Sequence, residues 1–224
     1  MKREIITTND GSKTIHFPEW NEQYHSTHGA IQEAKHVYLE HGLVFFCALK
    51  GYVKQSQISI LEIGFGTGLN AFLTAIKAKA LNLNCNYVGV EGFPISTEEL
   101  KALNYTEILK HDFIFQNIHK IEWEKESVIS KYFRLKKERK QFFEITNENQ
   151  FDIVYFDAFG PRVQPELWTE AIFKIMYKAM KPNGVLVTYC AQGHARRAMV
   201  LVGFTVEKLN GPPGKRHMLR AVKK

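Results

Sequence analysis

A chain of 224 residues, 45% of them hydrophobic, is long enough for one sizeable core, and one α/β domain is the default expectation. The formal net charge of +7 biases the chain towards polyanions, although many basic proteins bind no nucleic acid. The sequence holds no run of about 18 apolar residues, no apolar centre in MKREIITTND, and only three scattered cysteines, Cys47, Cys85 and Cys190, which argues against a membrane span, a signal peptide, a disulfide framework and a zinc site, and for a reducing cytoplasm.

The first twenty residues read as a hairpin, with REIITT and KTIHF alternating around the two-residue turn signal NDG. In AIQEAKHVYLEHGLVFFCAL, residues 30–49, Ile31, Ala34, Val37, Tyr38 and Leu43 recur at helical spacing, and Gly42 is expected to break the helix in two. A buried strand over 58–63, a helix over 69–80 and a second buried strand, YVGVE (87–91), follow. STEELKALNYTEIL reads as one helix capped by Ser96 or Thr97, with Glu98 and Glu99 in its first turn. The segment 111–150 is the hardest to read. Within it KYFRLKKERKQFFEI alternates around Phe133 and Leu135 as a third strand, and the charges of RLKKERK suggest a solvated edge.

From residue 151 the pattern is clear again: the strand FDIVYFDAF, a loop with Pro161 and Pro165, a helix over 166–180, the turn KPNG and the strand VLVTYC. A short helix over 192–202 and closing strands near 204–208 and 217–222 complete the order. The fold class is α/β: a Rossmann-like, doubly wound and mainly parallel sheet of seven strands, with helices on both faces, a strand hairpin at the C-terminal edge and a small N-terminal hairpin extension. Residues 1–50 form the extension and 51–224 the main domain, expected to make one compact unit.

The turn LEIGFGTGLN (61–70) joins the first buried strand to its helix. Gly64, Gly66 and Gly68 read G-x-G-x-G, whereas a dinucleotide fingerprint reads G-x-G-x-x-G, and the acidic Glu62 precedes them inside the strand. The difference is chemical. A pyrophosphate needs the helix N-terminus and close backbone approach. S-adenosylmethionine has no phosphate, and its amino-acid end carries an ammonium that an acid at the strand end can receive directly or through water. Glu91, about 20 residues further on, is placed to hold both ribose hydroxyls. Phe65, Thr67 and Asn70 complete the expected cofactor set. The competing reading is an ordinary strand–helix turn with incidental acids.

Asp157 closes its strand in YFDAFGPRVQPELW, where open α/β sheets place their ligands. A local role in capping or turning the chain is the alternative.

LEIGFGTGLN, VEGFP, YFDAFGPRVQPELW and GPPGKRHMLRA, with YHSTHGAIQEAKHVYLEHGL before them, together resemble the methyltransferases of the MnmC/MnmD type, which act on the wobble uridine of tRNA. The resemblance runs from about residue 17 to 222. It implies transfer of the methyl group of S-adenosylmethionine to the amine of 5-aminomethyl-(2-thio)uridine, giving 5-methylaminomethyl-(2-thio)uridine. Some members are fused to an FAD-dependent oxidase. This sequence carries no second glycine fingerprint, so the stand-alone form is expected, with another enzyme supplying the aminomethyl substrate. The family's acid for the adenine amino group falls here on Gln141, with Glu138 and Glu144 as neighbouring alternatives.

The reaction needs proximity, alignment and a neutral amine, and positioning alone contributes ~7 kcal/mol or more. Asp157 is the candidate for orienting the amine or taking its proton. Arg162, Arg196, Arg197, Lys215 and Arg216 are candidates for tRNA phosphates, against a solvated-surface role for each and for Lys208. Tyr24, Phe65, Phe159 and Trp168 are candidates to stack on an unstacked base, with Trp168 equally suited to the core. A small-molecule N-methyltransferase on the same fold and a non-catalytic binding module are the competing functions.

Overall fold

The computed structural model describes residues 2–51 and 56–224. A small antiparallel sheet comes first, β1 (Glu4–Thr7), β2 (Lys13–Phe17) and β3 (Glu22–Gln23), paired in that order. The β1–β2 connection is wider than the two-residue turn that NDG suggests, spanning Thr8–Ser12 with the Thr8 N–H on Ser12 O at 2.8 Å. The Asp10 carboxylate is the reason. It accepts from the Thr8 and Ser12 hydroxyls and reaches the Gln32 N–H at 3.0 Å, capping the next helix from outside it.

That helix is one unbroken stretch: α1 (Ala30–Ala34), a π-helical segment Lys35–Val44 and α2 (Phe45–Leu49). Gly42 does not break it, contrary to the sequence expectation. It lies inside the π segment, where a Cβ would come to 3.0 Å from the Tyr155 ring and 3.1 Å from Val187. The glycine lets the helix press against the sheet.

The next elements follow the apolar pattern: β4 (Gln57–Ile63), α3 (Leu69–Leu81) and β5 (Asn84–Val90). The single helix expected over 96–109 is instead split into α4 (Thr97–Ala102) and α5 (Tyr105–Leu109), with Ser96 and Glu99 closing a capping box on α4. Asn104 at the break is held by the β1–β2 turn, accepting from Lys13 N–H at 2.8 Å and donating to Gly11 O at 2.9 Å. The stretch that resisted reading contains α6 (Asp112–Lys120), β6 (Ser127–Ser130) and β7 (Phe133–Glu138). β7 is not the edge; it lies between β5 and β6. Its Lys137 is buried, donating to His119 O at 3.1 Å and lying 5.0 Å above the Trp123 ring, so RLKKERK is not a solvated run.

The C-terminal half contains β8 (Phe151–Phe156), a 3₁₀ turn Pro165–Trp168, α7 (Glu170–Ala179), β9 (Met180–Thr188), α8 (Gly193–Val202), β10 (Phe204–Asn210) and β11 (His217–Lys223). KPNG bulges out of β9 rather than preceding a strand. The β8 pairing jumps from Phe151–Met180 to Ile153–Val185, and Asn183 takes φ 61°.

The main sheet runs β10-β11-β9-β8-β4-β5-β7-β6. Among the described residues it has eight strands rather than the expected seven, because the short β6 adds an edge. Strands β4, β5, β7, β8 and β9 are parallel, and the β10–β11 hairpin closes one end. One core layer joins the N-terminal helix, α3 and α6 to the sheet; α7 and α8 cover the other face. Among the described residues no helix is long and apolar enough to cross a membrane. The sheet reverses its order between β4 and β8, so the switch point lies between the ends of those strands.

Because Gly42 touches both Tyr155 and Val187, Gly42→Leu should overpack this contact and cost about 1–3 kcal/mol in urea unfolding. Unchanged stability would mean that the helix can lift off the sheet without loss.

Candidate active site

A cavity of about 1500 Å³ opens at the switch point. Gly64, in the turn after β4, lines its inner wall. Gly64 takes φ 85° there, and a Cβ on it would lie 2.5 Å from the Asp157 backbone oxygen. Gly66 takes φ 50°, and its Cβ would lie 2.8 Å from the Tyr24 ring. No side chain fits at either position, and positive φ favours glycine at both. Gly68 (φ 71°) starts α3. Glu91, just after β5, is locked by two backbone donors, Gly66 N–H at 3.0 Å and Phe93 N–H at 2.8 Å. A carboxylate has about four acceptor sites, so Glu91 keeps capacity for a diol in the cavity it lines.

Asp157 also lines the cavity. Its Oδ1 accepts from the Tyr38 hydroxyl at 2.6 Å and its Oδ2 from Asn70 Nδ2 at 2.8 Å. Burial pushes its carboxyl up to about 7; the Tyr38 bond pulls it down, and the Glu33 charge pushes it up again. This carboxyl titrates near neutral pH, where a proton acceptor is most useful.

Glu62 is not where the sequence placed it. It is buried behind the wall, outside the cavity lining, and its Oε1 accepts from the same Asn70 amide at 2.9 Å. Burial drives its carboxyl well above the usual carboxylate range. Strand alternation explains the placement, because Glu62 faces the helical layer with Ile60 rather than the cavity. Phe65 is likewise a core residue, packed against His119 and Trp123, and cannot stack on a base. Thr67 is buried against His25, 3.4 Å from its Nε2. Asn70 reaches the site only through its amide on Asp157. Of the three adenine candidates only Gln141 lines the cavity, beside Gly92. Glu138 is held by Lys136 and Lys140, each at 2.6 Å, and Glu144 caps Gln141 N–H at 2.5 Å.

The outer wall is aromatic. Tyr24 stacks on Phe17 (5.6 Å) and meets Phe159 edge-on (5.2 Å), and Trp20 meets Phe159 at 5.9 Å. Trp168 does not join them as a stacking platform. It is fully buried, and its Nε1 donates to Phe159 O at 2.8 Å, fixing the loop after Asp157. Arg162 is exposed but spans this wall, donating to Trp20 O, Asn21 O and Glu22 within 3.2 Å. Lys215 is not a free docking cation. It pairs with the buried Glu33 and lies 4.0 Å from the Tyr189 ring centroid, inside the cavity. Arg216 is exposed at the rim, whereas Arg196 and Arg197 are exposed on α8 outside the cavity lining, and Lys208 is exposed on β10.

Sequence reasoning missed Tyr38, Tyr189 and His25 as parts of the site, and Glu33 as the partner of Lys215. His25 is held by Thr14 at 2.9 Å, and burial lowers it to about 4, so it is a neutral strut between β2 and the glycine turn. The nearest hint in the sequence was the motif YHSTHGAIQE, whose Ser26 N–H donates to Glu33 at 3.0 Å.

A family described as S-adenosyl-L-methionine-dependent methyltransferase matches residues 100–224. The tRNA 5-methylaminomethyl-2-thiouridine biosynthesis bifunctional protein MnmC of Delftia acidovorans is 28% identical over 238 residues, which cover 99% of this chain and 35% of that protein. The protein of the same name from Cupriavidus metallidurans is 27% identical, over 96% of this chain and 33% of its own length. The chain therefore spans about a third of the length of these curated relatives. The crystal structure of MNMC2 from Aquifex aeolicus aligns with a TM-score of 0.76 at 27% identity, over 98% of this chain and 70% of that one.

Because folding raises the Asp157 pKa from 3.8 to about 7, its contribution to stability is full below pH 4 and is lost as pH rises through 7. The melting temperature of Asp157→Asn relative to wild type should therefore increase between pH 5 and pH 8. A pH-independent difference would show that Asp157 ionises normally.

Proposed function

The chain belongs to the family of S-adenosyl-L-methionine-dependent methyltransferases, and on that premise we propose that it methylates the amine of 5-aminomethyl-(2-thio)uridine at the tRNA wobble position, giving 5-methylaminomethyl-(2-thio)uridine. The observation that carries this reading is the Asp157 carboxylate, anchored at the switch point of a cavity large enough for a cofactor and a nucleotide. The likeness to proteins named for tRNA 5-methylaminomethyl-2-thiouridine biosynthesis supports the choice of substrate.

The residues present fit the cofactor. Gly64 leaves its part of the wall bare of a side chain, the Gly66 N–H fixes Glu91, Glu91 offers acceptors for the ribose diol, and Gln141 lines the cavity for the adenine. When bound, S-adenosylmethionine supplies a methyl group already activated by its sulfonium. The protein then has to align the amine and remove a proton from it, because a primary alkylamine is mostly protonated at neutral pH. Asp157 does both: it accepts a hydrogen bond from the amine and takes the proton, for which a carboxyl near pH 7 is matched. Tyr24 and Phe159 form the aromatic wall against which the unstacked uracil lies. Arg216 and Arg162 at the rim, with Arg196 and Arg197 beyond it, meet the anticodon phosphates. An activity outside residues 1–224 has to supply the aminomethyl uridine, and a tRNA substrate places the reaction in the cytoplasm. Residues 1–50 act as a substrate-side extension of the 51–224 methyltransferase domain.

The test is nucleoside analysis of aminomethyl-uridine tRNA incubated with the protein and S-adenosylmethionine. Conversion to the methylaminomethyl form is expected, and single-turnover transfer by Asp157→Asn should fall by roughly 10²–10⁴-fold. Methylation of free aminomethyl compounds with no preference for tRNA would favour the small-molecule reading instead.

The docking surface makes a separate prediction. Arg216→Ala should weaken tRNA binding and lower the salt slope by about one unit, with cofactor affinity unchanged. A salt slope equal to wild type would remove Arg216 from the phosphate contacts.

A further inference from the structure

Asp157 has a partner that no sequence motif indicated. Tyr38 lies 119 residues away in sequence, on the π-helical segment, and is 2% exposed. Its ring packs on Tyr155 with centroids 5.2 Å apart, so the hydroxyl cannot swing away without disturbing the core. It donates to Asp157 Oδ1 at 2.6 Å, while Asn70 Nδ2 takes Oδ2 at 2.8 Å. The carboxylate is thus gripped at both oxygens by buried donors from two different helices. The ten-residue π segment carries the residue that touches the acid.

We infer that Tyr38 is a positioning residue: its hydroxyl sets the orientation of the Asp157 carboxylate towards the reacting amine and holds that carboxylate in its ionised form. This rests on the reading of Asp157 as the group that receives the amine's proton. An O–H···O⁻ bond is charge-assisted and about twice as strong as a neutral one, so it favours the ionised acid over the protonated one. The phenol stays a donor throughout, since burial and then the Asp157 charge drive its own pKa well above the ordinary tyrosine value.

The other titratable groups around Asp157 come from every element packed on it. Glu33 on α1 opposes its ionisation, and Lys215 in the loop before β11 favours it. Glu62 on β4, Tyr87 on β5 and Tyr189 after β9 feel the Asp157 charge, and each has its pKa raised chiefly by burial. Among these neighbours Tyr38 is the one that donates a hydrogen bond to the carboxylate.

The experiment compares wild type with Tyr38→Phe, which keeps the ring and its packing and removes the hydroxyl. The Asp157 carboxyl is titrated directly by NMR on protein with carbon-13-labelled aspartate, using Asp157→Asn to identify its resonance. Single-turnover methyl transfer is followed across the same pH range, with S-adenosylhomocysteine affinity as the control. Loss of a hydrogen bond to a charged group should raise the Asp157 pKa by about one unit. The acid limb of the rate profile should move with it, giving about a ten-fold loss on that limb that recovers at high pH, with cofactor-product affinity unchanged. A fluorotyrosine at position 38, a stronger donor, should move the titration the other way and covers the case in which the phenylalanine variant folds poorly. A uniform loss of rate with the carboxyl titration unmoved would overturn the inference and leave Tyr38 a packing residue. A shifted titration in an enzyme that methylates no tRNA would support the grip on Asp157 while overturning the tRNA reading.

Discussion

The structure turns on a crowded point where two parallel strands end. The backbone oxygen of Asp157 lies where a side chain on residue 64 would begin, 2.5 Å from its would-be Cβ. Only glycine allows β4 and β8 to end this close together. The contact sets the turn after β4 against the loop after β8, and through them the bare wall of the cavity against the acid. The sheet's reversal of order at the same place opens the cleft. Glycine supplies close approach, positive φ and an uncovered wall in one residue.

Around that point the charges are arranged for a neutral-pH acid rather than a permanently ionised one. Burial would keep Asp157 protonated; two hydrogen bonds and the nearby Lys215 bring it back to about 7. Glu62, a carboxyl one amide further in, is helped by Tyr87 and the Asn70 amide but faces the Asp157 and Glu91 charges instead of a lysine, and burial drives it well above the usual carboxylate range. The two acids share one Asn70 amide yet differ in role because only one of them reaches the cavity. Removing the hydrogen bonds or the lysine would push Asp157 towards Glu62's state, and a carboxylic acid that stays protonated cannot take a proton.

The substrate side is assembled from segments at opposite ends of the chain. Glu33 in α1 pairs with Lys215 just before β11, and a Cβ on Gly214 would collide with the His28 ring. Arg162 in the loop after β8 clamps the β2–β3 connection. These ties hold the small sheet over the cavity mouth, and its Phe17 and Tyr24 rings complete the wall with Phe159. Two of the basic residues that suggested phosphate contacts, Arg162 and Lys215, are therefore engaged in internal ties, while Arg216 is exposed at the rim.

By itself the sequence determined the elements whose patterning is local. The apolar runs of β4, β5 and β8, the stripe of α3, the glycine turn and the acids that close two strands are each written within about a dozen residues, because strand and helix periodicity and positive φ are local properties. Glu91 and Asp157 were legible for the same reason, as acids at strand ends. Tertiary structure alone decided what crosses the fold. It buried Lys137 in β7, split the helix at Asn104 and left Gly42 inside a continuous helix. It also brought Tyr38 to Asp157 and Lys215 to Glu33. In each of these cases the deciding partner is far away in sequence, and burial against that partner outweighs the local preference of the residue.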